Sequence, residues 1–160
     1  MGDDDRSADE PARARRALAE VEIRRDDLYT AVLGLERAMA TASGDDVPAW
    51  AARAEVAALA LRATWRRHVT GTEAATGIFA TVADESPRSI PAAERLRAEH
   101  PGLGHQIDAL VEALAGTRDR AAVAGVREQA LDLLRALLAH RHRGAELVYD
   151  AFQVDIEAGD

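Results

Sequence analysis

Apolar residues recur at spacings of three and four along four long segments of this chain, and no useful stretch alternates with period two. Such spacing places each apolar set on one face of a helix and leaves nothing to build a sheet. Short breaks separate the segments, so the expected fold is all-α, an up-down-up-down four-helix bundle. The expected domain spans residues 11–156. An acidic, disordered tail is expected over 1–10 and a frayed end over 157–160.

The first segment runs from Pro11 to about Thr41, with Leu18, Val21, Arg25, Tyr29, Val32, Glu36 and Met39 on one face. Ser43-Gly44-Asp45-Asp46 breaks it. The second starts at Asp46, a good N-cap, with Pro48 in the first turn. Its face reads Trp50, Ala54, Ala57, Leu61, Trp65, His68, Thr72 and Phe79, and Gly71 and Gly77 are expected to weaken or bend it. The third starts near Ser89 to Pro91 and presents Ala92, Leu96, His100, Leu103, Ile107, Leu110 and Leu114. Pro101 predicts a kink or interruption in it. The fourth runs from about Arg120 past Tyr149, with Val126, Ala130, Leu134, Leu137, Arg141, Ala145, Val148 and Phe152 inward.

Composition narrows the chemistry. The chain has no Cys, which removes disulfides, thiolate ligands and cysteine nucleophiles. It has no Lys, so all 20 basic residues are Arg and Schiff-base or P-loop chemistry is absent. A net charge of −8 argues against a nucleic-acid partner. No apolar run reaches the ~18 residues of a membrane span. Met1 to Ser7 is acidic and lacks the apolar core of a signal peptide, so a cytoplasmic location is expected. Ser7, Ser43, Ser86 and Ser89 lie in the tail or the breaks, none in a nucleophile elbow, and no catalytic residue is expected.

The informative feature is the set of polar groups inside the apolar stripes. His68, Thr72, His100, Arg25, Arg141, Glu36 and Tyr29 fall inward, with Glu22, Glu73, His142 and Glu146 at the margins. Facing helices of a bundle can each supply one inward ligand to a metal or cofactor. His142 and Glu146 are one helical turn apart and share a face. His140 and His142 point to nearly opposite sides and cannot both line one site. On this phase His140 belongs to the surface, Arg25 and Arg141 pair with nearby acids, and Thr72 bonds back to a carbonyl of its own helix.

This layout resembles the hemerythrin-like (HHE cation-binding) family. The resemblance implies a His on the first helix, His-x-x-x-Glu on the second, His on the third and His-x-x-x-Glu on the fourth, together binding two non-haem irons. It covers roughly Arg25 to Phe152, and Arg95-Leu96-Arg97-Ala98-Glu99-His100 is similar to the third-helix ligand segment. Here Arg25 stands at the first His position. His68 and His100 match, but Thr72 stands where the second-helix Glu belongs and Glu73 follows one later. On the fourth helix the apolar phase gives Arg141 and Ala145, whereas a register shifted by one gives His142 and Glu146.

The expected ligand set is therefore reduced to His68, Glu73, His100, His142 and Glu146. That set suits one Fe or Zn better than a coupled pair, serving metal binding or small-ligand sensing. Two other expectations stand beside it. One is a scaffold bundle without metal, possessing an Arg/Glu/His polar network and a protein partner, a homodimer included. The other is a redox enzyme using a single iron.

Overall fold

The computed structural model describes residues 26–152 together with Ala19. The described secondary structure is helical throughout, without a strand. Helix α1 spans 26–40 of the described part, α2 Val47–Glu73, α3 Ile78–Glu85, α4 Ile90–Gly116 and α5 Arg120–Phe152, with a 3₁₀ turn at Pro87–Ser89. The expected tail, the C-terminal end, Glu22 and Arg25 lie outside the described residues.

Local chemistry sets the boundaries. The Asp46 side chain accepts the Ala49 amide at 2.9 Å and Asp119 accepts that of Ala122 at 3.0 Å, so each satisfies an amide that the first helical turn leaves unpaired. The weak point at Gly71 and Gly77 is a break. α2 stops at Glu73, and α3 starts after Gly77. A Cβ on Gly77 would lie 2.5 Å from the Gly71 carbonyl oxygen and 2.6 Å from that of Thr72, so only glycine lets the chain pass this close to the end of α2. α4, in contrast, continues through Pro101, which is exposed. The carbonyl one turn earlier loses its amide partner but can turn to water.

Leu28, Val32, Leu35 and Met39 of α1 pack with buried residues of α2, α4 and α5 in one large apolar cluster. Tyr29 and Glu36 are exposed, which corrects the expected inward face of α1 by about one residue. A second, smaller cluster gathers Ile78, Phe79 and Val82 of α3, Ala93 and Leu96 of α4, and Leu147 and Ala151 of α5. The large cluster ends at Trp65, Leu103 and Leu137, and the small one begins at Phe79, Leu96 and Leu147. What lies between these two apolar bodies is a layer of imidazoles. No described helix is long and apolar enough to cross a membrane.

Candidate metal centre

Each of the three long helices α2, α4 and α5 sends one histidine into that layer. His68 follows Trp65 on α2, His100 lies between Leu96 and Leu103 on α4, and His140 lies between Leu137 and Leu147 on α5. His100 and His140 are 3% exposed, and His68 is half-buried. One ring nitrogen from each lies within 4.8 Å of the other two. The closest pair is His68 Nε2 and His140 Nε2, at 3.4 Å. Two nitrogens bound at 2.0–2.1 Å to one tetrahedral cation stand about 3.3 Å apart, so this pair already has metal-site spacing.

The far edge of two of the rings is held by a carboxylate. His100 Nδ1 lies 2.5 Å from Glu73 Oε1, and His140 Nδ1 lies 2.7 Å from Glu99 Oε2. Arg143 donates to the same Glu99 oxygen at 2.8 Å. A carboxylate only accepts, so each Nδ1 carries a proton, and in the neutral ring Nε2 presents its lone pair toward the layer. His100 Nε2 is buried and has no hydrogen-bond partner among the described residues, an uncompensated cost unless something else occupies that lone pair.

Aromatic rings wall the layer. Trp65 stacks on His68 at 5.1 Å between centroids and meets His100 and His140 edge-on at 5.4 Å. Phe79 stacks on His100 at 5.8 Å. In this environment burial lowers the His140 pKa from its ordinary value; the Glu99 carboxylate opposes this, and His100 and Arg143 add to it. Burial pushes the Glu99 carboxyl upward, but hydrogen bonds from Arg143 and His140, with their charges, outweigh it and hold its pKa below the ordinary value. A neutral imidazole donating to an ionised carboxylate is the form that binds cations.

Of the residues singled out from the sequence, His68 and His100 meet in this layer. Glu73 sits behind His100, on the side away from the cluster. The structure does not bring His142 and Glu146 to it. They form an exposed pair at 3.3 Å on the outer side of α5, with side chains 75% and 58% exposed. His140, expected at the surface, is buried in the layer instead. Arg141 lies over the Tyr29 ring at 4.5 Å, and no acid among the described residues pairs with it. Thr72 donates to the His68 carbonyl at 2.9 Å, as its place in the helix suggested.

The phase of α5 is what misplaced His140. After Leu137 the next inward residue is either three or four positions on. Of the buried residues of α5, all but Leu134 (Val123, Val126, Ala130, Leu133, Leu137, His140, Leu147 and Ala151) keep alternating threes and fours if Gly144 fills the gap. That seven-residue rhythm was the available signal.

Comparison with models of protein families, with curated proteins and with solved structures returns no match. The site therefore has to be understood from its own geometry. The three histidines could hold a metal ion.

Proposed function

We propose that this chain is a metal-binding helical bundle in which His68, His100 and His140 hold one divalent first-row cation. The observation that carries the proposal is the convergence of three ring nitrogens within 4.8 Å in a layer closed above and below by apolar side chains. Burying polar rings there costs stability unless their nitrogens are used, and His100 Nε2 has no partner among the described residues. Imidazole nitrogens suit Zn, Fe, Cu and Ni, whereas carboxylates suit the hard cations Mg and Mn. Zn²⁺ is the cation the set fits best, and Fe²⁺ the second.

Three protein ligands leave a coordination position open, the arrangement of sites that bind or act on a small molecule rather than purely structural ones. His68 is the more exposed edge of the layer, and a cavity of about 150 Å³ adjoins it, lined by Asp27, Thr64 and Arg67. The cavity beside His68 supports a sensing or binding role for a small ligand at that open position.

We read the framework as hemerythrin-like, with helices alternating in direction and a remodelled centre. The support is the shared placement of His68 and His100. A di-iron centre needs inward carboxylates from the helices, and among the described residues Glu73 and Glu99 are engaged behind imidazoles. The competing function is a metal-free scaffold, favoured by the bonds from His100 to Glu73 and from His140 to Glu99 and His68, which already form a polar network.

Metal analysis separates the two. Protein purified without a chelating tag and loaded anaerobically with Zn²⁺ or Fe²⁺ should retain one ion per chain after gel filtration. The double variant His100→Ala/His140→Ala should retain none. Wild-type protein with no metal above background would leave the scaffold reading.

A further inference from the structure

We infer that Glu73 and Glu99 are positioning residues for the metal, acting through the imidazoles of His100 and His140 to match the site to a dication. The inference rests on the metal reading above and adds to it the two residues that favour a divalent charge.

Three observations support it. First, the two carboxylates are engaged at Nδ1, the far edge of each ring, at 2.5 and 2.7 Å, so they are oriented for the rings and not for direct coordination. Second, accepting from Nδ1 fixes the tautomer of the neutral ring, which leaves the Nε2 lone pair of His100 in a buried space without a partner among the described residues. Third, neither ring is free to turn away. His100 is pinned by Glu73, by the stacked Phe79 and by the edge of Trp65, while His140 is pinned by Glu99 and Trp65.

Both carboxylates come from residues one position off the buried stripe, Glu73 at the last turn of α2 and Glu99 immediately before His100. The Gly77 break places the end of α2, and with it Glu73, beside α4. Thus α2 supplies His68 and the support for His100, and α4 supplies His100 and the support for His140.

The charges act across the rings. An imidazole with a bond at either end separates carboxylate from metal by roughly 6–7 Å, and at any fixed distance the attraction on a dication is twice that on a monocation. Arg143 bonds to Glu99 and offsets part of its charge, so Glu73 contributes more. Replacing a carboxylate behind a metal-bound histidine lowers affinity about 10- to 100-fold. For a monocation the same loss of charge should lower it only by about the square root of that factor, roughly 3- to 10-fold.

The test is the ratio of Zn²⁺ to Ag⁺ affinity in wild type, Glu73→Gln and Glu99→Gln, each measured by competition with a chromophoric chelator. Glutamine keeps a hydrogen-bond acceptor and loses the charge. Ag⁺ meets no thiolate, because the chain has no cysteine. Both variants should bind Zn²⁺ about 10- to 100-fold more weakly and Ag⁺ roughly 3- to 10-fold more weakly, with the larger effect at Glu73. Partial unfolding would weaken both ions by one factor, so the ratio reports charge and not fold. Equal losses for the two ions, or Zn²⁺ affinity unchanged within about twofold, would overturn the inference and leave the metal reading intact. A wild type that binds neither ion would remove both.

Discussion

His100 is the residue where function and stability pull apart. It is 3% exposed, its Nδ1 is satisfied by Glu73, and its Nε2 is buried with nothing to accept. Such an unsatisfied group costs about 1–3 kcal/mol. Leucine has nearly the same volume, and Glu73 is exposed enough for water to replace the lost bond. His100→Leu should therefore leave the metal-free protein as stable as wild type or about 1 kcal/mol more stable in urea denaturation, while lowering metal retention below one ion per chain. A loss of more than about 2 kcal/mol would mean that the imidazole is retained for packing. His68 and His100 were legible in the sequence because each interrupts an otherwise apolar face. Glu73 and Glu99 were not legible as partners of particular rings, because a group that supports an imidazole from behind lies off the stripe, where ordinary surface acids also lie.

At the scale of elements, the α2–α3 break decides whether the centre forms. Glu73 and Phe79, on either side of that break, both meet His100. Gly77 has no room for a side chain, because its backbone passes so close to the α2 carbonyls that any Cβ would collide with them. Gly77→Ala should destabilise the protein by about 1–3 kcal/mol, read from the shift in urea midpoint. It should weaken metal binding as well, since relieving that collision shifts the end of α2, which carries Glu73, against the start of α3, which carries Phe79. The sequence marked this weak point through its glycines, and marked the start of α2 through Asp46. It did not separate a bend from a break, because that choice depends on how α3 packs on α4 and α5. The inward phase of α5 was similarly open. Both Arg141 and His140 continue the Leu134–Leu137 pattern locally, and only the rhythm carried on from Val123 selects His140.

For the whole molecule, the imidazole layer couples stability to pH. The His140 pKa is lowered in the fold, so below the ordinary imidazole value of 6.5 the unfolded chain binds more protons than the native one. The stability this ring contributes is present above that value and is lost as the pH falls through the folded pKa. Glu99 acts in the same direction lower down: its depressed pKa adds stability above the ordinary carboxyl value of 4.5, which is lost on further acidification. Metal-free protein should show a urea midpoint that declines in two stages between about pH 7 and pH 3. A midpoint that rises as pH falls below 6.5 would contradict the buried, neutral state of His140.

In the proposed centre three imidazoles hold one cation without a bridging carboxylate. X-ray absorption of the zinc-loaded protein reads that shell directly. Nitrogen neighbours are expected at about 2.0–2.1 Å, with the outer-shell scattering of three imidazole rings and no metal–metal distance. A shell dominated by carboxylate oxygen, fewer than two imidazoles, or a second metal at about 3.5–4 Å would contradict it.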